Sequence, residues 1–223
     1  MTSVSEAVRS RKSVRAFLNK PVPDAVLREV LETASRAPSG GNLQPWFVHV
    51  VSSVALTKLK EQVQKVMATS PLGEGTEYDI YPQEMKDPYR SRQRKVAGDM
   101  YALLGIERGD KFGRMAQMAR NFSFFDAPVG IFFAIDRDMA QNQWAHLGMF
   151  MQTFALVAVE KGLATCMQEA WAIYHKTVGE FLKLPPGQML YCGMALGFED
   201  RQAVVNDLTT ERAALREFVS FHG

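Results

Sequence analysis

Cysteine is scarce in this chain: Cys166 and Cys192 are the only two among 223 residues, and they form no C-x-x-C pair. That spacing argues against both a disulfide framework and a cysteine-based zinc site, so the reducing cytoplasm is the expected compartment. Long apolar runs are also missing, since the most hydrophobic stretches meet a charge, a Gln or a His before reaching spanning length. Met1 to Arg15 is polar and basic with no apolar centre, and no secretory signal is expected there. Neither sign of charge dominates: 26 Lys and Arg against 24 Asp and Glu leave a net charge of +2. A nucleic-acid partner is therefore not expected, nor is a membrane.

Several catalytic signatures are absent as well. No G-x-G-x-x-G follows a strand pattern and no G-x-x-x-x-G-K-[ST] occurs, which removes a Rossmann dinucleotide site and a P-loop. There is no G-x-S-x-G elbow, and His49, His146, His175 and His222 have no metal-ligand spacing, so no metal is expected. Glu169 and Asp200 could be drawn as an acid/base pair, but two carboxylates so far apart in sequence are paired by coincidence in most proteins. No repeat or low-complexity tract is present.

What the chain does have is a hydrophobic content of 47%, enough for a sizeable core in a single α+β domain over residues 1–223. Ser3 and Glu6 form a capping-box pattern opening a short helix. It delivers the run Arg11-Lys12-Ser13-Val14-Arg15, which reads either as a solvated helix end or as a grip for one phosphate. Helical spacing from Asp24 ends before Pro38. A loop over 38–45 follows, with a Gly pair and the amides of Asn42 and Gln44, suited to the edge of a flat heterocycle. Together the two stretches suggest a mononucleotide-type cofactor.

Strands are predicted at 46–51, 129–134 and 188–196, and helices at 53–70, 94–104, 110–120 and 174–182. Residues 72–94 form a long polar segment rich in Tyr and Arg, either a surface-pinned loop or a substrate lid. Residues 141–162 make the longest helix, apolar around most of its circumference and hence expected in a core or an oligomer interface. His146 on it is expected to be a packed, hydrogen-bonded residue. Residues 163–171 read as a connection, and the apolar tail Leu215, Phe218, Val219 and Phe221 should dock on this subunit or on a partner.

Four blocks in order carry a family resemblance: Arg11 to Arg15, Ala37 to Trp46, Cys166-Met167-Gln168-Glu169-Ala170-Trp171, and Gly193 to Phe198 with Asn206 and Arg212. The chain resembles the nitroreductase family of FMN-dependent oxidoreductases over nearly its whole length. The resemblance implies a mainly antiparallel central sheet wrapped by helices, in an intertwined homodimer with two FMN sites at the interface. It implies that Arg11, Ser13 and Arg15, with Lys12 beside them and Arg212 from the tail, hold the FMN phosphate, whose charge is roughly −1.5 to −2. Pro38, Ser39 and Asn42 would reach the flavin of the other subunit. Asn121, or Arg120 next to it, would face the pyrimidine side. Gln168, Glu169 and Ala170 would run past the reactive N5 edge, which makes Gln168 and Glu169 the catalytic candidates.

By the same resemblance the activity is hydride transfer from NADH or NADPH to a small nitroaromatic or related electron-poor acceptor by a ping-pong route. Residues 77–108 are similar to the branch that includes nitrobenzoate reductases, and a cation among Arg90 to Arg94 is expected to meet a substrate carboxylate. A flavin-destroying or dehalogenating relative, and a non-catalytic FMN-binding module, are the alternatives.

Overall fold

The computed structural model describes residues 2–223. Ser3 and Glu6 close the expected capping box, each side chain accepting from the other's backbone N–H, and open α1 (Val4–Ser10). The chain then runs extended to Phe17. After α2 (Asp24–Ala34) it crosses the 38–45 loop into β1 (Phe47–Ser52) and turns directly into α3 (Ser53–Thr69). Helices α4 (Tyr89–Leu103) and α5 (Lys111–Ala119) precede β2 (Val129–Asp136). The long α6 (Gln141–Glu160), β3 (Ala164–Gln168), α7 (His175–Leu182) and β4 (Gln188–Gly197) complete the regular elements.

The sheet order is β1-β2-β4-β3 and every neighbouring pair is antiparallel. Alternation along the strands sends side chains into two cores, one on each face. Ile131, Phe133 and Met194 pack with α2 and α6. Phe132, Leu190 and Ala195 pack with α3, α7 and the aromatic group of Phe122, Phe124 and Trp171. Trp171 is buried so tightly that a Cβ on Gly193 would lie 2.2 Å from its ring, which is why glycine stands there. No helix among the described residues is long and apolar enough to cross a membrane.

Two elements differ from expectation. Residues 164–168, expected as part of a connection, form β3. The segment has one β-branched residue, Thr165, and becomes a strand because β4 supplies a ladder from Ala164↔Gly197 to Gln168↔Gly193. Helix α4 begins five residues earlier than its apolar spacing indicates, because Asp87 accepts from the backbone N–H and hydroxyl of Ser91 at its first turn. Arg90, Arg92 and Arg94 are thereby helical. Elsewhere the expected elements agree to within a few residues.

The extended run after α1 is fastened to the free edge of β3. Val14 N–H donates to Thr165 O at 3.0 Å and Leu18 N–H to Phe198 O at 2.9 Å. Asn206, 2% exposed, completes the attachment. Its Oδ1 accepts from Arg15 N–H at 2.8 Å, and its Nδ2 donates to Ala16 O and Asp200 O, both at 2.9 Å. Losing three buried hydrogen bonds of about 1 kcal/mol each, Asn206→Ala should lower the melting temperature by roughly 6–12 °C. A thermal melt within a degree or two of wild type would show that Asn206 does not hold this segment.

Candidate active site

A cleft of about 710 Å³ opens beside the C-terminal end of β3. Arg15 lines it together with Gln168, Glu169 and Ala170, and Asn121 faces them from the 3-10 turn Arg120–Asp126 that follows α5. Gln168 Nε2 donates to Asn121 O at 2.8 Å and lies 3.3 Å from its Oδ1, which ties strand end to turn. Five of the expected site residues, from three distant parts of the sequence, therefore share one wall.

Side-chain alternation along the extended run explains the next placements. Arg11, Ser13 and Arg15 share one side, and all three bear on the buried Cys166 thiol, lowering its pKa; burial outweighs them and pushes it up to about 11. Lys12 points the other way. It pairs with Glu199 at 2.7 Å and donates to Asn206 O, so it is not brought into the cleft. Arg212 is also outside: its Nη1 donates to Thr210 Oγ1 at 2.6 Å and to Glu211 O at 2.9 Å in the exposed tail. Pro38, Ser39 and Asn42 do not line this chain's cleft. Their loop is held by Gln44 N–H donating to Ser39 Oγ at 2.9 Å, and Gly40 packs on His146, whose Nδ1 meets Gln143 Oε1 at 2.9 Å.

Two other cleft residues, Tyr191 and Gln117, were not singled out from sequence, whereas Tyr81 and Arg94 belong to the segment expected as a lid or a carboxylate contact. The register shift between Phe133 and Ala134 gives β4 an extra residue, Tyr191, which is turned toward the cleft. Tyr191 stacks on Tyr78 at 5.5 Å, and the Tyr78 hydroxyl donates to Tyr191 O, pinning the start of the 72–88 segment to the sheet. Tyr81 and Arg94 reach the cleft from that segment and from α4. Gln117 on α5 is a buried polar residue one helical turn before Asn121. That i, i+4 pairing of amides is the sequence signal that could have revealed it.

Electrostatically the cleft favours protonated acids. Desolvation by its walls raises the Glu169 carboxyl above the ordinary carboxylate range, and burial raises the Tyr191 phenol. Arg15 and Arg94 are the cations in its lining.

The sequence pattern described as the Nitroreductase family matches residues 8–198. The chain belongs to this family. Among curated nitroreductase-family relatives, it is 36% identical over 219 residues to the 4-nitrobenzoate reductase of Pseudomonas putida, covering 97% of this chain and 94% of that one. It is 34% identical over 218 residues to the chloronitrobenzene nitroreductase of Comamonas testosteroni, with 98% and 96% covered. The FMN and NADPH-dependent nitroreductase NfnB from Sphigopyxis sp. strain HMH superposes with a TM-score of 0.97 at 44% identity, covering 99% of both chains. This fold and family match the expectations drawn from the four sequence blocks.

The raised Glu169 pKa has a consequence for stability. Between the unfolded value and the raised folded value the native state binds more protons than the unfolded one, so stability falls as pH rises through that window. In ligand-free protein, Glu169→Gln should therefore melt higher than wild type at pH 7, and the difference should vanish at pH values below the unfolded carboxylate pKa. Melting curves across pH 3.5–8 provide the check, and an advantage that persists unchanged at low pH would rule out the desolvated carboxyl as its cause.

Proposed function

We propose that the chain is an FMN-dependent oxidoreductase that uses NADPH or NADH to reduce nitroaromatic or related electron-poor acceptors by a ping-pong mechanism. The observation that carries this reading is the shared wall of Arg15, Asn121, Gln168, Glu169 and Ala170, in a chain of a family whose relatives are named for nitroaromatic reduction. The residues present fit a flat anionic cofactor. Among the described residues, Gln117 Nε2 and Gln168 Oε1 are buried amide atoms without a partner, a Cβ on Gly148 would meet no atom within 4 Å, and Arg15 supplies a forked cation. When bound, FMN supplies the two-electron chemistry, taking hydride from the nicotinamide and passing it to the acceptor.

The protein's own part is positioning. Arg11, Ser13 and Arg15 would hold the phosphate end, with Arg212 brought in when the tail is ordered against a partner. Lys12 would act through its backbone and through its fastening to Glu199. Gln168, Glu169 and Ala170 would line the reacting edge, with Glu169 keeping its proton to higher pH than an ordinary carboxylate because its carboxyl is desolvated. Met118 and Tyr191 would keep water from the ring.

The working unit in this reading is an intertwined homodimer, each chain one domain over residues 1–223. Three features support it. Ala145, Met149 and Gln152 form an exposed face on α6. The 38–45 loop stands away from its own cleft, free to serve another. Leu215, Phe218 and Phe221 are left exposed at the C-terminus, while the tail touches its own chain through Arg92–Glu217 and Lys95–Glu211. The same reading makes the flavin-destroying, dehalogenating and non-catalytic alternatives less apt.

The purified protein should be yellow or become so with FMN, be bleached anaerobically by NADPH or NADH, and regain colour on adding 4-nitrobenzoate. A protein that stays colourless with FMN refutes the reading. Of the arginines on α4, Arg94 lines the cleft, whereas Arg92 is paired with Glu217. Arg94→Ala should lower kcat/KM for 4-nitrobenzoate about 10-fold and leave uncharged nitrobenzene nearly unaffected. An equal effect on both substrates would remove the carboxylate contact.

A further inference from the structure

From Ser70 to Tyr78 the chain is fastened to its neighbours. Tyr174 donates its hydroxyl to Ser70 O at 3.0 Å, and Glu74 N–H donates to Ile173 O at 2.7 Å. The Glu74 carboxylate accepts from the backbone N–H and hydroxyl of Thr177 at 3.0 and 2.8 Å, and Glu77 is paired with Arg137. Beyond Tyr78 this fastening ends. No residue from 79 to 116 is buried, although Tyr81, Arg94 and Tyr101 of this arch build one side of the cleft. Among the described residues, Tyr78 is the one hydrophobic side chain between 68 and 116 that packs against either core.

Tyr78 joins three elements. Its ring stacks on Tyr191 of β4 at 5.5 Å and meets Trp144 of α6 edge-on at 5.4 Å, and Trp144 in turn meets Tyr191 at 5.9 Å. Its hydroxyl donates to Tyr191 O, on the residue that the register shift turns into the cleft. The arch has a second attachment, to the tail, through Arg92–Glu217 at 3.0 Å and Lys95–Glu211 at 3.4 Å, all exposed side chains. Exposed ion pairs cost side-chain entropy and are screened by water and salt, whereas packed rings and a half-buried hydrogen bond are not. The Tyr78 attachment therefore outweighs the other. We propose that Tyr78 is a positioning residue for the acceptor: by joining the arch to Tyr191 it sets the width of the cleft and holds Arg94 where an acceptor's carboxylate meets it. This assignment rests on the cleft being the site of nitroaromatic reduction and adds which residue fixes its outer wall. Helix α4, which has no buried residue of its own, is hung from one aromatic anchor and opens when that anchor is lost.

Hydrogen exchange of the ligand-free full-length protein, read by peptide mass, tests the anchor without flavin or turnover. Amides of α4 should exchange about 5-fold faster in Tyr78→Phe, the loss of one hydrogen bond, and at least about 10-fold faster in Tyr78→Ala, while α6 and β4 keep wild-type rates. Glu217→Gln should change α4 by less than about 2-fold. In FMN-loaded enzyme, Tyr78→Phe should raise KM for 4-nitrobenzoate about 5-fold at nearly unchanged kcat. It should add nothing in an Arg94→Ala background, because both changes remove the same contact. Wild-type exchange in both Tyr78 variants overturns the proposal, as does equal acceleration in α4, α6 and β4, which marks general destabilisation. So does a larger effect of Glu217→Gln than of Tyr78→Phe, or an effect of Tyr78→Phe on KM that is the same with and without Arg94. Wild-type enzyme that reduces no nitroaromatic overturns the functional reading instead, and the acceptor role of Tyr78 falls with it even where α4 exchange responds as expected.

Discussion

The attachment of the extended 11–17 run to the open edge of β3 is the constraint on which the cleft depends. A sheet edge presents unpaired N–H and C=O groups that must be satisfied. The chain meets part of that need with its own N-terminal segment, through Val14 and Thr165, and locks it with the buried amide of Asn206. Because the segment is extended, the pairing also decides which cations face the cleft. Arg15 lines the cleft, Arg11 and Ser13 lie on its side of the run near Cys166, and Lys12 goes the other way, to Glu199. One backbone pairing thus converts a basic run into two separate uses of charge.

The opposite wall depends on a second irregularity, the extra residue in β4. A regular strand would alternate Tyr191 with its neighbours between the two cores. The register shift against Phe133 and Ala134 instead turns it to the cleft, where it receives Tyr78 and anchors the segment leading to α4. Tyr78 of that segment is therefore mounted on the sheet, and Arg94 reaches the cleft from α4. Among the described residues, polar groups in this wall are not all satisfied: one amide atom each of Gln117 and Gln168 has no partner, while the Asn121 amide is engaged. A buried, half-satisfied network is poor for stability.

Much of the architecture could be read directly. The capping box at Ser3, the spacing of α2 and α3, the apolar β2 run and the long α6 are local patterns that tertiary contacts reinforced. Strand β3 could not be read, because a five-residue edge strand with one β-branched side chain owes its conformation to β4. The apolar surround of α6 was visible, but the pattern could not say which face is left open at Ala145, Met149 and Gln152. For the site, residue types in ordered blocks indicated Arg15, Asn121, Gln168, Glu169 and Ala170, and the fold assembles them. Gln117 and Tyr191 escaped notice, since one is an ordinary amide on an amphipathic helix and the other an ordinary strand aromatic.

The Arg11 to Arg15 run, the amide-bearing loop near residue 40 and the Gln168-Glu169-Ala170 block determined, by sequence alone, the family and the chemistry the chain is equipped for, because side-chain type sets what can be bonded. Only the tertiary structure decided that Lys12 turns away, that the loop leaves its own cleft, and that, among the described residues, one atom each of two buried amides is left without a partner. Those are matters of direction and burial, which depend on partners more than a hundred residues away and leave no trace in local pattern.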